Sequence, residues 1–531
     1  MEKHLIKQVM LRFSDKKYFV LLMLTMVISS CFSQLKTREN KKLFFKADKY
    51  FDYGDYYNSL LIYEKLYAID STNDELNFKL GVSNFEIKKF RLRSKKYLEK
   101  VKASEFPEVN YYLGILYHLE RSFDKAIACF TQYKYLNTEG EHSRTEINDL
   151  IQKSNTAMIL ESKADNTLQI KNLGSEINSE YADYAPLIPA DGSFLMFTSR
   201  RQNNLWANKD PFGEYFEDIY VSKKNSDEWH KPTMLDTNIN TSVHDACTGL
   251  SANGEKLLIY RTSKDLKSGD IYESFYSNDK WSNPEIMGSI VNAPDYLETS
   301  ACYSPNGDIV FFSSNRPGGY GGKDIYLTKK LPTGKWGEPF NLGPVINTPY
   351  DEDAPFVHPA MNILFFSSQG HKNMGGFDIF KSSFDEAGIF TAPENMGCPI
   401  NTVDDDIFFV LSTDASMGYL SSQREGGYGS HDIYSVFFPV NNIPLNVYNI
   451  YVFDDADQIV KNVDVLLTDM EKKSVFGMYK SNEKTGKIMV ISSPGKEYRI
   501  AIQAPGYEPY ISNVKLVSEK ENIFKLIKQS K

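Results

Sequence analysis

Asp218-Ile219-Tyr220, Asp270-Ile271-Tyr272, Asp324-Ile325-Tyr326, Asp378-Ile379-Phe380 and Asp432-Ile433-Tyr434 repeat one phrase at intervals of 52, 54, 54 and 54 residues. Other landmarks keep the same phase. An Asn behind an apolar residue recurs at Asn178, Asn240, Asn292, Asn347 and Asn401, and a strand-like run recurs as FLMFTS, KLLIYR, IVFFSS, ILFFSS and MGYLSS. Five units in register with a period near 50 predict a propeller or a linear array.

The grammar inside one unit decides between these. In the third, residues 299–303 predict a strand, Pro305-Asn306-Gly307 a turn, and residues 309–314 a second strand. The glycine-rich run Pro317-Gly-Gly-Tyr-Gly-Gly-Lys323 then turns the chain into a third strand at 324–328, and 336–342 supplies a fourth. Four short antiparallel strands punctuated by Gly and Pro make one propeller blade. The fifth unit ends after Phe438 without its Trp-x-x-Pro fourth strand, whereas Lys171-Asn172-Leu173-Gly174, ahead of the first unit, matches Phe340-Asn341-Leu342-Gly343. Residues 167–173 are therefore expected to supply the missing outer strand and to close a five-bladed ring across 165–440.

The chain has 531 residues, room for several domains. Its 34 Tyr and 34 Phe suit a strand-rich core, and a net charge of −9 argues against nucleic acid as a partner. Five Cys make no disulfide framework. Lys3, Lys7, Arg12, Lys16 and Lys17 precede an 11-residue apolar run at 18–28, too short to span a bilayer. Ile28-Ser29-Ser30-Cys31 follows and resembles a bacterial lipobox, which implies a signal peptide over 1–30, a lipid on Cys31 and a short linker over 31–40. Ordinary secretion with cleavage nearby is the alternative. The residues after Cys31 lack the acidic run of surface-exported lipoproteins, so a periplasmic orientation is expected.

Residues 41–160 lose the Gly/Pro punctuation and take helical spacing. Leu80-Gly81, Phe90 and Tyr97 recur 33 residues later as Leu113-Gly114, Phe123 and Phe130, and Tyr56 and Tyr63 precede Phe90 and Tyr97 by 34. This resembles tetratricopeptide repeats, with Arg93 standing where that motif wants a small residue. Three helix pairs and a closing helix at 145–160 are expected, either as a peptide-binding solenoid or as a helical spacer. Past a linker at 441–444, strands are expected at 447–453, 463–468, 487–491, 498–504, 513–516 and 523–526, a small β-sandwich over 445–531. Its run Tyr498-Arg-Ile-Ala-Ile-Gln-Ala-Pro-Gly-Tyr-Glu-Pro-Tyr510 resembles the end of carboxypeptidase-regulatory-like domains.

The candidate site is an acidic column. Asp183, Asp245, Glu298, Glu352 and Asp406 share one repeat position at the start of each unit's first strand. Standing round a channel mouth, five carboxylates could hold a cation or a basic peptide; alternatively each caps its own blade turn. Arg200, Arg316 and Arg424 recur behind the second strand as partners for the Asp of each triplet. The eight His show no zinc-ligand spacing; His244, His358 and His431 fall at unequal positions, as do Cys129, Cys247, Cys302 and Cys398, expected as free thiols or one fortuitous bridge. No nucleophile elbow or His-Glu-x-x-His occurs, so neither a catalytic site nor a metal or cofactor is expected.

In this order the modules resemble Bacteroidota envelope proteins of the PorE/OmpA-family type, whose propeller repeats are similar to those of TolB and Tricorn. The resemblance implies a non-enzymatic, outer-membrane-associated lipoprotein that scaffolds envelope proteins of type IX secretion or gliding, with a PorP-type barrel among the partners. No OmpA-like domain follows the sandwich, which leaves peptidoglycan in doubt as a partner and the lipid on Cys31 as the anchor. The alternative is a propeller that binds a glycan or cation. A hydrolase gated by the propeller would need a catalytic domain.

Overall fold

The fold comes from a computed structural model that describes residues 37–136, 142–202, 206, 208–210, 214–225, 228–266, 268–439, 444–518 and 520–529. Cys31 and the leader before it lie outside the described residues, as do 441–443 of the expected linker. The chain divides into two compact units, one ending at Asn155 and the other beginning at Thr156. Among the described residues no helix is long and apolar enough to cross a membrane.

The first unit is helical: α1 (Arg38–Asp52), α2 (Tyr56–Tyr67), α3 (Asp74–Glu86), α4 (Lys95–Leu98), α5 (Val109–Leu119) and α6 (Phe123–Leu136), with α7 (Arg144–Ser162) leading into the second unit. Thr37, Asp55 and Asn73 cap α1, α2 and α3, each side chain accepting the amide three residues on. The two Leu-Gly landmarks are close-packing positions. A Cβ on Gly81 would fall 2.4 Å from Leu98 Cδ2, and one on Gly114 2.4 Å from Phe130 Cε1. Each glycine lets a neighbouring helix seat a large side chain against its backbone. The expected second helix of the middle pair is not one helix. A 3-10 turn, Lys88–Arg93, precedes the single turn of α4. Arg93 cannot enter a seam made for a small side chain; it stays exposed, its guanidinium 4.7 Å from the centre of the Phe90 ring.

The second unit is almost entirely strand. Its first part holds five antiparallel meanders with inner strands at Asp183–Leu187, Asp245–Leu250, Glu298–Tyr303, Glu352–Val357 and Asp406–Leu411. Each is followed by a second strand and by a third that starts at a repeat triplet. Three inner strands are hydrogen-bonded to the blade before: Cys247 N donates to Thr198 Oγ1, Ala354 N to Ser300 Oγ, and Ala185 N, across the ring, to Ser421 Oγ; the inner strands of blades 2 and 3 and of blades 4 and 5 pack side by side. The meanders therefore form a closed five-bladed propeller. Apolar faces meet between blades; Leu258, Ile271, Val291, Ala301, Val310 and Phe312 fill the seam of blades 2 and 3. Each of these side chains except the Ala301 methyl contributes roughly 1.5–3 kcal/mol when buried.

Closure is as the repeat boundaries imply. Gln169–Asn172 pairs antiparallel with the third strand of blade 5, Gln169 opposite Phe437 and Asn172 opposite Tyr434. The outer strands of the other blades are shorter than expected. In blade 3 only Phe340 and Asn341 pair with the third strand, and Trp336 makes an isolated bridge to Lys330.

The sandwich follows. One sheet runs Ile488–Ser492, Asn446–Phe453, Asn522–Lys525, the last pair parallel; the other runs Ser474–Lys480, Asp464–Asp469, Glu497–Gln503, Tyr510–Lys515. Ile450, Val452, Val465, Leu467, Val490 and Ile500 lie in the core between them. The strand at Ser474–Lys480 was not expected. It is an edge strand with Val475 and Met478 facing solvent, so its apolar residues do not follow the alternation of a half-buried strand.

Candidate functional site

The repeated carboxylates do start the inner strands, but all five are fully buried. Each turns back onto the loop that delivers its strand. Asp183 accepts from Ser179 N and Oγ, Asp245 from Thr241, Glu298 from Ala293 N, Glu352 from Thr348 and Asp406 from Thr402. A short acid bonding backbone and hydroxyl a few residues earlier is a turn-stabilising arrangement. The expectation of a carboxylate ring open at a channel mouth is corrected accordingly.

Four of the five carry a guanidinium on their other side. Arg201 meets Asp183 at 2.6 Å, Arg316 meets Glu298 at 3.2 Å, Arg424 meets Asp406 at 2.7 Å, and Arg261 pairs with Asp245. Each also donates to a backbone carbonyl of the incoming loop, at Ile177, Val291, Ile400 and Ile239 respectively. Each lies about 5 Å over the Tyr of its triplet, Tyr220, Tyr326, Tyr434 and Tyr272. Arg316 and Arg424 thus pair with the inner-strand acid, not with the triplet Asp as expected. The blade 1 equivalent is Arg201, while Arg200 joins Glu217, Asp210 and Glu214. Blade 4 has no such arginine. His371 Nε2 takes the carbonyl, bonding Ile346 O at 2.8 Å, and its ring packs on Phe380. Glu352 keeps only Thr348 and Ser368 as donors, and burial pushes its carboxyl up to about 7.

The triplet Asp serves the glycine-rich turn. Asp324 accepts from Tyr320 N, Gly321 N and Asn341 Nδ2; Asp378 and Asp432 repeat the set with Asn395 and Asn172. The phased Asn is a clamp. Its Oδ1 accepts from the triplet Ile N and its Nδ2 donates to the same Ile O, in the pairs Asn240–Ile219, Asn292–Ile271, Asn347–Ile325, Asn401–Ile379 and Asn178–Ile433. The last pair joins the first repeat to the last blade, beside the closing strand.

Two further buried networks have no counterpart in the sequence reading. Burial pushes Glu217 up, but His244 and Arg200 outweigh it and hold the carboxyl at about 2. Between blades 3 and 4, Lys323, Thr299 and Ser300 converge on Asp353. His358 bonds Ser412 O and His431 bonds Gln423, so neither joins His244 at Glu217. Cys129, Cys247, Cys302 and Cys398 are free thiols, and burial raises Cys247 and Cys302 to about 12. Among the described residues no group of three or more His, Cys, Asp or Glu could hold a metal ion.

The axis itself is nearly filled. Inner-strand residues including Leu187, Thr248, Leu250, Tyr303, Phe356 and Phe409 leave a cavity of about 40 Å³. That is space for a water or two, whereas ligand pockets run to roughly 300–1,000 Å³. The inner strands bulge to fill it. Ala185, Ala354 and Phe408 take positive φ of 53°, 52° and 60° where the pairing shifts register. Two of these bulges admit Pro186 and Pro355, whose missing N–H a regular central strand would not tolerate.

No family model matches this chain, and no curated protein matches it. Among solved structures, one described as TolB from Agrobacterium tumefaciens aligns at 15% identity over 51% of this chain and 98% of its own, with a TM-score of 0.27. The β-propeller domain of the Trilobed protease from Pyrococcus furiosus aligns at 9% identity over 64% and 82%, TM-score 0.24. An α-L-arabinofuranosidase from Podospora anserina aligns at 9% over 50% and 92%, TM-score 0.32. Likenesses of this degree assign neither activity nor ligand.

Proposed function

We propose that this chain is a non-enzymatic scaffold of the cell envelope. In this reading it is an outer-membrane lipoprotein, lipidated at Cys31 and facing the periplasm. Its tetratricopeptide-like helices, propeller and carboxypeptidase-regulatory-like sandwich hold partner proteins, including a PorP-type barrel of a type IX secretion or gliding complex. The observation that supports it is how the propeller uses its polar residues. The repeated Asp, Glu, Arg and Asn side chains are bonded within the ring, and the axis has space for little more than water. Such a ring displays its outer surfaces rigidly and leaves binding to them.

The test is crosslinking in the native envelope, purification through a C-terminal tag and mass spectrometry. One barrel or secretion component is expected in near-equal amount; recovery of the chain alone would count against a scaffold. Cys31→Ala is expected to move the protein from the membrane to the soluble fraction when membranes are washed in high salt. The alternative, a glycan- or cation-binding propeller, has its carboxylates buried and bonded, and calorimetry with calcium and oligosaccharides is expected to show no heat.

A further inference from the structure

The helical unit carries a charge pattern opposite to that of the whole chain. Residues 88–102 hold Lys88, Lys89, Arg91, Arg93, Lys95, Lys96, Lys100 and Lys102 against one acid, Glu99, in a chain of net charge −9. The backbone from 88 to 98 stays helical, because the 3-10 turn, Ser94 at φ −62° and ψ −34°, and α4 follow one another without a break. Ser94, Tyr97 and Leu98 face inward and are buried; Leu92, Arg93, Lys96, Glu99 and Lys100 face solvent. Lys95 is taken by Glu120, and Lys102 lies near Glu105 and Asp74. Arg93, Lys96 and Lys100 have only aromatic partners among the described residues: the Phe90 ring, the Tyr97 ring, and the ring and hydroxyl of Tyr67.

Apolar side chains are exposed among and beside these cations. Leu92 is 64% exposed at the centre of the run. Helix α2 lies alongside, with the Tyr67 and Tyr97 rings 5.1 Å apart, and it exposes Tyr57 and Leu61 one turn apart; Tyr53, in the turn before it, is 87% exposed. Leu92, the Tyr67 and Tyr97 rings and the long cationic side chains against them suit the boundary between headgroups and acyl chains, where ammonium and guanidinium groups reach phosphate and the apolar stems stay out of water.

We infer that the Leu92–Arg93–Lys96–Lys100 face is a membrane-surface contact that engages anionic phospholipid headgroups and sets the helical unit against the bilayer. The inference rests on the lipoprotein reading for its orientation. Five residues lie between Cys31 and Thr37, so the six Cα–Cα steps span at most about 20 Å. A lipid on Cys31 would hold the unit within reach of the leaflet and raise the effective concentration of headgroups at this face.

The test uses the full mature chain with Cys31→Ala, so that no acyl chain contributes, and co-sedimentation with vesicles of phosphatidylcholine alone or mixed with phosphatidylglycerol. Binding is expected only with phosphatidylglycerol and is expected to weaken as salt rises. Arg93→Gln, Lys96→Gln and Lys100→Gln together are expected to lower it by on the order of a hundredfold at low salt. The same charge change on the sandwich, Lys461→Gln, Lys472→Gln and Lys473→Gln, is expected to leave it intact, and Leu92→Ser to reduce it in part. No binding, equal binding to neutral vesicles, or an unchanged triple variant would overturn the proposal. So would a triple variant that loses a crosslinked acidic protein while the unsubstituted chain ignores the vesicles. Because lipidation is read separately, from the membrane release of Cys31→Ala in cells, failure of one reading is distinguishable from failure of the other.

Discussion

In blades 1, 2, 3 and 5 the carboxylate that starts the inner strand meets a guanidinium, while in blade 4 Glu352 meets two hydroxyls and an amide. The rest of the corner changes with it. Gly370 stands where Arg316 and Arg424 stand in blades 3 and 5, His371 takes over the arginine's carbonyl, and the aromatic beneath is Phe380 instead of Tyr. A buried carboxylate is tolerated when it is paired and fully bonded. Where the cation is missing, the cheaper state is the neutral acid, and the Glu352 carboxyl rises to about 7. Asp245 and Glu298 are also raised by burial, but their arginines oppose the shift. One fold position is thus filled four times by an arginine-paired acid and once by an acid with no cation beside it.

The largest effect is expected from making another blade resemble the fourth without its compensations. Arg316→Ala or Arg424→Ala leaves a buried carboxylate unpaired and removes the donor to Val291 O or Ile400 O. Such a break should cost about 3–5 kcal/mol, read as a lowered urea midpoint at pH 8. The cost should shrink at pH 5, where the orphaned acid can take a proton. A loss below about 1 kcal/mol at pH 8 would mean that these pairs behave like surface ion pairs and that the comparison is empty.

Glu352 sets the next effect, with the opposite sense from an ordinary carboxylate. Its folded value lies above the unfolded one, so the folded state binds the proton more tightly. The stability this contributes is fully present below about pH 4.5 and is lost as pH rises towards 7. That gap is worth roughly 3 kcal/mol. Buried His358 and half-buried His371 are lowered and act the other way below about pH 6.5, so the informative quantity is the difference between the unsubstituted chain and Glu352→Gln. That difference should favour the unsubstituted chain at pH 5 and shift towards the Gln variant by pH 8. A difference that is flat between pH 5 and 8 would show that Glu352 stays ionised throughout.

Much of this corner could be read before any coordinates. The five-fold period fixed the blades, and the single match of Lys171-Asn172-Leu173-Gly174 to Phe340-Asn341-Leu342-Gly343 located the closing strand; the asparagines were legible as landmarks in phase, though not as clamps. The arginines were harder to place. Counting from the last residue of the FLMFTS-type run gives Arg201, Arg316 and Arg424 at the second place after Ser199, Ser314 and Ser422, so Arg200 was one residue off; Arg261 stands in the serine's own place, opposite Asp245. The lone Phe among five triplets, Phe380, already signalled that blade 4 differs. Burial of the acids was not legible. It comes from the loop donors and, in four blades, the arginines that close over each acid, and periodicity is blind to contacts between a strand and the loop that delivers it. The edge strand at Ser474–Lys480 escaped for a related reason, since its face is set by neighbours distant in sequence.

The smallest effect tests whether the blade 4 glycine belongs to the same arrangement. A Cβ on Gly370 would lie 2.0 Å from Thr348 Oγ1, the hydroxyl that donates to Glu352 at 2.6 Å. Gly370→Ala must therefore push Thr348 aside and weaken that bond. The steric part of the cost does not depend on pH. The hydrogen-bond part does, because a donor to a carboxylate is worth roughly twice a donor to a neutral carboxyl. Gly370→Ala should accordingly cost about 1 kcal/mol more at pH 8 than at pH 5. In the Glu352→Gln background the pH dependence should vanish while the steric cost remains. Equal cost at both pH values in the unsubstituted background would separate the glycine from the carboxyl and leave it as a packing residue alone.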